Sequence, residues 1–340
     1  MNLPKVDEVD YIQFLIAAQK AFSCCEASRC QSQIETIAHD SFVRLLERQP
    51  TDTAALWQEV EPLVDRGKGC LVLDDSTLDK PYSRHIELVT RHWSGKHKSV
   101  VSGINLLTLL WTDGNAALPC DCRLYGEEVK DDGKPKSKNE FFQEMLNTAK
   151  ARGFCPSMVC FDSWYASIEN LKLVRSHDWH FLTRLKSNRK VNPDDTGNVS
   201  VDTLRPPAEG QVVHLKEFGF ARLFRIVAPN GDTENTDSAE YWITNHLKMT
   251  EGERQEWELQ SFKIENYHRG LKQCCAVERC QCRSKVKQHG HILLSLRAFI
   301  RLEANRLATG VSWYEAKLDI VRDAIRHYLV RPTIQINATA

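Results

Sequence analysis

The stretch Cys70-Leu71-Val72-Leu73-Asp74-Asp75-Ser76-Thr77 decides the fold. Gly67-Lys68-Gly69 punctuates the chain just before it. Four consecutive apolar residues then suit a strand buried on both faces, as in a parallel sheet. The run ends in acid. A second stretch, Val159-Cys160-Phe161-Asp162, has the same form. If the two strands are parallel neighbours, their terminal aspartates lie side by side at the open end of a rigid sheet. Two such carboxylates repel unless a cation sits between them.

The segments around these two strands complete a pattern. Val100 to Trp111 and Ala117 to Tyr125 read as strands joined by the turn Asp113-Gly114-Asn115, so the first three strands should form an antiparallel meander. Lys130 to Lys138 reads as a surface loop. Asn139 should cap a helix to about Arg152, with Phe142, Met145, Leu146 and Ala149 on one face. A fourth strand at 157–161, a helix at 167–177 and a fifth strand at 179–185 follow. Between 186 and 250, prolines and glycines separate short β-like runs. Helices are expected over 251–272, 290–307 and 311–329, and within residues 8–66, which contain no glycine. Three strands, helix, strand, helix, strand, β insertion, helix is the order of a ribonuclease-H-like α/β fold. The expectation is therefore a mixed sheet flanked by helices, with an all-β insertion and an N-terminal helical domain. Its boundaries fall at 1–66 (helical, with DNA binding one possible role), 67–186 (first part of the sheet domain), 187–250 (insertion), 251–308 (second part) and 309–340 (C-terminal helix and tail).

Composition narrows the function. No apolar run approaches the ~18 residues of a membrane span, and the acidic N-terminus does not look like a secretory signal, so a cytoplasmic protein without a membrane partner is expected. The formal net charge is zero, which by itself argues against a duplex-DNA binder. Its distribution is uneven, however: Lys263 to Arg306 holds ten Lys/Arg against three Glu, enough for local phosphate contact. The twelve cysteines show no paired C-x-x-C motifs, so free thiols are expected, with Cys274–Cys282 the one cluster that merits a metal assay.

Phosphodiester cleavage by two metal ions needs carboxylates that converge from different elements. Asp74 and Asp162 supply two. A third should come from a helix on the sheet. Glu265, Arg269 and Lys272 recur at i, i+4 and i+7, placing a carboxylate and two cations on one stripe. Asp75 is the alternative to Asp74. His85, His92 and His97 fit no metal-binding spacing.

Asp-Asp-Ser-Thr-Leu-Asp-Lys-Pro (74–81), Cys-Phe-Asp-Ser-Trp-Tyr (160–165) and Glu-Asn-Tyr-His-Arg-Gly-Leu-Lys (265–272) together resemble the DDE transposases of bacterial insertion sequences, over about residues 68–305. The resemblance implies catalytic, metal-binding Asp74, Asp162 and Glu265. It also implies two Mg²⁺ ions, with Mn²⁺ able to substitute, double-stranded DNA (transposon ends and target) as partner, and a homodimer in the DNA complex. The implied activity is cleavage at transposon ends followed by transfer of the freed 3′-hydroxyl into target DNA. A β-stranded insertion between Asp162 and Glu265 belongs to this pattern, and 103 positions separate the two. The related motif Tyr-x2-Arg-x3-Glu-x6-Lys is met at Glu265 and Lys272 but not at Glu258 and Ser261. Arg269, Lys272, Arg184 and Lys186 are candidate phosphate contacts. Trp242 and Trp164-Tyr165 are candidate base-stacking groups, with packing as the competing role. A DNA-binding relative without nuclease activity, a two-carboxylate glycosidase and a zinc or redox module are the alternatives.

Overall fold

The computed structural model describes residues 4–31, 37–94, 98–126, 133–134, 136–227 and 239–334. His97, residues 130–132 and 135 of the loop at 130–138, part of the insertion and the last six residues of the tail lie outside the described residues. Four short helices come first: α1 (Glu8–Ala17), α2 (Cys24–Arg29), α3 (His39–Glu47) and α4 (Ala54–Val60). Strands β1 (Cys70–Asp79), β2 (Thr90–Ser94), β3 (Ser99–Thr112) and β4 (Leu118–Leu124) follow, then α5 (Lys138–Ala151), β5 (Met158–Phe161), α6 (Ile168–Ser176) and β6 (Phe181–Leu185). Next come β7 (Lys190–Val191), β8 (Val199–Ser200), β9 (Gln211–Leu215), β10 (Gly219–Val227) and β11 (Ala239–Thr244). The chain closes with α7 (Glu251–Ser261), α8 (Lys263–Cys274), α9 (Lys285–Thr309) and α10 (Trp313–Val330). None of these helices is long and apolar enough to cross a membrane.

Two compact units are present. One comprises 60–77 and 104–266 and holds the body of a mixed sheet in the order β4, β3, β1, β5, β6, β11, β10, β9. β1, β5 and β6 are parallel, while β4 pairs antiparallel with β3, and β11 with β6. This is the ribonuclease-H-like mixed sheet that the strand order predicts. The apolar runs behave as parallel-sheet strands should: Cys70 to Leu73 and Met158 to Phe161 are all buried. The β3–β4 hairpin closes as its sequence suggests. Asp113 Oδ1 accepts from the backbone N–H of Asn115 (2.9 Å) and Ala116 (2.8 Å), and Gly114 takes the left-handed conformation at φ 91°. The insertion strands β9, β10 and β11 extend the main sheet past β6 rather than folding apart from it.

Four details depart from the sequence reading. β1 does not end at Asp74 but continues to Asp79. β2 forms within the polar run after Arg84, pairing antiparallel with the start of β3 from Ser94↔Ser99 to Thr90↔Gly103. It is an edge strand paired on one side by that ladder, and its polar sequence carries no apolar alternation to announce it. The cap of α5 is Ser137, not Asn139: its hydroxyl accepts from the Glu140 N–H (3.2 Å) and Glu140 returns a carboxylate to the Ser137 N–H (2.8 Å). Finally, the helix expected over 251–272 is two helices, broken at Phe262. Ser261 Oγ donates to the carbonyl of Glu258 (2.7 Å), and the Glu265 N–H reaches only as far back as Phe262 O (3.1 Å). A hydroxyl competing for a helix carbonyl is a common cause of such a break.

The other unit comprises 1–59, 78–103 and 267–340. α1 and α3 pack on α9, whose middle is buried all round. Arg297 of α9 is ion-paired with Glu8 and with Glu59. The Lys317 ammonium of α10 donates to the carbonyls of Ile16 (2.6 Å) and Ala18 (2.7 Å). α3 and α9 approach so closely at Gly290 that a β-carbon there would strike the Leu46 carbonyl. Gly290→Ala should therefore lower stability by about 1–3 kcal/mol. Gly252→Ala on α7, where the added carbon would meet nothing within 4 Å, should leave the denaturation midpoint unchanged or slightly raised. Urea melts of the two variants check this.

Candidate active site

The parallel register of β1 and β5 fixes the first two acids. Leu71 pairs with Val159, Val72 with Cys160 and Leu73 with Phe161. The ladder stops there, and the next residue on each strand is an aspartate, Asp74 and Asp162. Strand alternation then separates Asp74 from Asp75. Asp75 points to the face covered by α5. There its Oδ2 accepts from Asn105 Nδ2 (2.6 Å) and Lys138 Nζ (2.8 Å), and its Oδ1 from the Tyr165 hydroxyl (2.7 Å). Tyr165 is buried and stacks on Phe142, with ring centroids 5.5 Å apart.

Asp74 faces the opposite side, into a cleft of about 300 Å³. Asp162, Glu265, Arg184 and Trp242 line the same cleft, with Ser261, Phe262 and Ile264 from the α7–α8 junction. Glu265 lies in the first turn of α8, where the helix dipole favours a carboxylate. Asp162 also shapes the backbone beyond it. Its side chain accepts from the Ser163 N–H (2.6 Å) and so caps the short turn that carries Trp164 and Tyr165.

The two aspartates on β1 have opposite electrostatics. Burial, followed by the neighbouring charges of Asp75, Glu265 and Asp162, pushes the Asp74 carboxyl well above the usual range. Burial would raise Asp75 too, but the Lys138 ammonium and the hydrogen bonds from Lys138, Asn105 and Tyr165 hold it below its ordinary value. The guanidiniums around the cleft are paired with carboxylates of their own. Arg184 pairs with Glu240 (3.2 Å), and Arg254, almost fully buried, pairs with Glu251 (2.7 Å) and Glu258 (2.6 Å). Both guanidiniums also lie over the Trp242 ring, at 4.9 and 5.6 Å.

The donor set in the cleft suits a hard divalent cation: it offers carboxylate oxygens from separate elements, one of them disfavoured as an anion by its neighbours. The acids share a cleft but do not converge into a cage. Among the described residues, no three His, Cys, Asp or Glu side chains stand close enough together to hold one ion. Glu265 is exposed, at the start of α8.

Other candidates fall outside the cleft. Lys186 is not part of its lining, and its ammonium lies 5.3 Å from the centre of the exposed Trp164 ring. Arg269 and Lys272 follow one and two turns along α8, in the residues of the other unit. Lys272 is ion-paired with Glu278 at 3.1 Å. Much of the basic segment is compensated in the same way, since Lys287, Arg297, Arg301 and Arg306 also have carboxylates within 4 Å. Trp242 is only 5% exposed, with its indole N–H on Glu240 (3.3 Å), so its packing role is occupied. Tyr165, a candidate for base stacking, instead packs in the core and binds Asp75. Asn105, Lys138 and Arg254 carry no signal in the sequence. Nothing in their local spacing distinguishes them, and only the folded sheet brings them to the site.

Residues 9–222 match the family model described as DDE superfamily endonuclease. The chain belongs to this superfamily. The matched span includes Asp74 and Asp162 and ends before Glu265. Membership bears out the resemblance drawn from the motifs and makes the chain a nuclease-type enzyme, in a superfamily whose members generally use divalent metals. Among solved structures, the chain is similar to the cryo-EM structure of the piggyBac transposase synaptic complex with hairpin DNA. The TM-score is 0.50 at 14% identity, covering 97% of this chain and 74% of that one. That likeness bears on the fold alone. A Drosophila P element transposase strand transfer complex aligns at TM-score 0.28 and 6% identity, over 98% of this chain and 88% of that one, too distant to carry an argument. No curated protein sequence matches the chain.

Substituting the two neighbouring aspartates of this endonuclease should shift its stability in opposite directions. A carboxyl whose folded pKa is raised contributes stability below the unfolded value of ~3.9 and loses it as pH rises through the folded value. Ionised Asp74 therefore destabilises the metal-free fold at neutral pH, and Asp74→Asn should raise the urea midpoint. A carboxyl with a depressed folded pKa contributes stability above the unfolded value and loses it as pH falls through the folded one. Asp75→Asn should therefore cost about 1.5–3 kcal/mol at neutral pH and less in acid. Urea titrations in chelator at neutral and acidic pH check both signs.

Proposed function

We propose that this DDE endonuclease is a DNA transposase that cuts at the ends of a mobile element and joins the freed 3′-hydroxyl to target DNA. The reading rests on one observation above the rest: two aspartates follow the last paired residues of neighbouring parallel strands, and a helix-borne glutamate lines the same cleft. Asp74, Asp162 and Glu265 would hold two Mg²⁺ ions, for which Mn²⁺ can stand in. Bound there, the ions supply Lewis acidity and an activated water or hydroxyl nucleophile. The side chains of the protein do the positioning. The β1–β5 register holds Asp74 and Asp162 rigidly at adjacent strand positions, and Glu265 closes the set from α8. Asp75 stays tied to Lys138, Asn105 and Tyr165, which keeps β1 from flipping its acids. Arg184 stands at the cleft beside Asp162 as a phosphate contact. Arg269, and Lys272 once released from Glu278, serve the flanking DNA. Pairing of two element ends calls for a homodimer in the DNA complex, and a cytoplasmic setting suits an enzyme that acts on DNA.

Asp74→Ala, Asp162→Ala and Glu265→Ala should each reduce nicking of an end-bearing duplex to background while leaving duplex binding within about twofold of wild type. EDTA should abolish nicking in wild type, and Mn²⁺ should restore it. Arg269→Ala should weaken binding, with a shallower salt dependence than wild type. Nicking that survives EDTA would overturn the metal assignment. A wild-type protein that binds ends but never nicks them would identify a DNA-binding relative instead.

A further inference from the structure

The polar run that becomes β2 and the start of β3 carries charge that the fold leaves unanswered. Residues 80–103 hold five Lys/Arg against one acid, Glu87. Two of these six groups are used internally. Lys80 is buried, with its ammonium on the carbonyls of Glu278 and Cys280 (2.8 Å each). Glu87 accepts from the Lys285 backbone N–H (2.8 Å). Arg84, Arg91 and Lys98 are exposed, and among the described residues none of the three is ion-paired. The basic segment beginning at Lys263 is the reverse case, since Lys272, Lys287, Arg297, Arg301 and Arg306 all have carboxylate partners. Lys98 leads into β3 in the left-handed region, at φ 47°, where glycine would be the easier residue. A long cationic side chain is kept there at a conformational cost.

The β2–β3 register sorts the side chains. Trp93 pairs with Val100 and Arg91 with Ser102, so alternation puts these four on one face of the ribbon. His92 is on the other face, hydrogen-bonded to Thr90 Oγ1 (2.6 Å). On the first face Trp93 keeps 68% and Val100 50% of their surface in solvent. Charge on an edge strand guards it against pairing with another chain. An exposed indole opposite an exposed valine does the opposite, so protection of the edge does not account for this face. Free cations beside an apolar pair fit a polyanion that also offers apolar surface. Duplex DNA has both: its phosphates border a groove floored by base edges and thymine methyls, and the ~12 Å major groove admits a two-stranded β-ribbon.

We propose that the β2–β3 ribbon is a docking surface for duplex DNA that enters the major groove. Arg91 and Lys98 contact phosphates, and Trp93 with Val100 packs against base edges. The inference rests on the transposase reading for its partner and deepens it, because it assigns a DNA contact that uses none of the cleft residues.

The test is fluorescence anisotropy of the full chain on a short labelled duplex of arbitrary sequence, titrated with salt in EDTA so that nothing is cut. Arg91→Ala combined with Lys98→Ala should bind at least about tenfold more weakly at ~0.1 M salt, and the slope of log affinity against log salt should be shallower by about 1.8, or about 0.9 per lost phosphate contact. Trp93→Ala should bind about fivefold more weakly with its slope unchanged. Arg91→Lys combined with Lys98→Arg keeps both charges and should retain the wild-type slope, which separates lost charge from a damaged fold. Arg322→Ala removes an exposed cation of α10 that is paired with Glu315 and Asp319, and should change neither quantity. Wild-type affinity and slope in the double alanine variant, an equal loss in Arg322→Ala, or tighter binding of a single strand than of the duplex would each overturn the ribbon assignment. Nicking of supercoiled plasmid with Mn²⁺ is scored separately. A protein that nicks while its ribbon variants bind normally keeps the transposase reading and loses the ribbon; one that binds through the ribbon but never nicks does the converse.

Discussion

The register of one parallel strand pair governs everything around the cleft. Leu73 sits opposite Phe161, and a slip of one residue on either strand would send its aspartate to the wrong face. Burial enforces that register, since Leu71, Val72, Leu73, Val159 and Phe161 are all buried and a slip would exchange them for acids. Apolar packing in the sheet therefore holds two like charges at neighbouring positions.

The same strand shows how the fold limits its own charge. Asp74 and Asp75 are consecutive, and leaving both ionised without partners would be costly. Asp75 is answered from within by an ammonium, an amide and a phenol, while Asp74 faces the cleft lined by Asp162, Glu265 and Arg184, where burial and the neighbouring carboxylates raise its pKa. The contrast is between one aspartate tied into the fold by hydrogen bonds and one turned into the cleft. Chain order does not make that distinction, because the two are adjacent. Side-chain direction on a strand does.

Much of this was legible in the sequence, for physical reasons that can be named. Short runs such as Cys70–Leu73 and Met158–Phe161 announce strands covered on both faces, and an acid at the end of each announces the open edge. Glu265 could be placed by helical spacing. The rest depended on contacts distant in sequence. The break at Phe262 falls next to Ser261, whose hydroxyl turns onto the Glu258 carbonyl, a choice that helix propensity does not encode. β2 is polar and gains its place only from β3. The basic stretch beginning at Lys263 looked like a phosphate-binding surface, but Arg297 and Arg306 are neutralised by Glu59 and Glu303. A count of charges along the chain does not show which acids will fold against them.

The helical unit has a consequence for how the molecule is made. Its N-terminal helices rest on α9 and α10, with Lys317 gathering carbonyls from residues 16 and 18 and Arg297 holding Glu8 and Glu59. Those partners leave the ribosome long after the helices they hold. During translation α1 and α3 cannot make their packing on α9 until the intervening polypeptide is completed, whereas the strands from β3 through β11 meet their neighbours within one continuous stretch of synthesis. The helices made first are thus among the last to become folded.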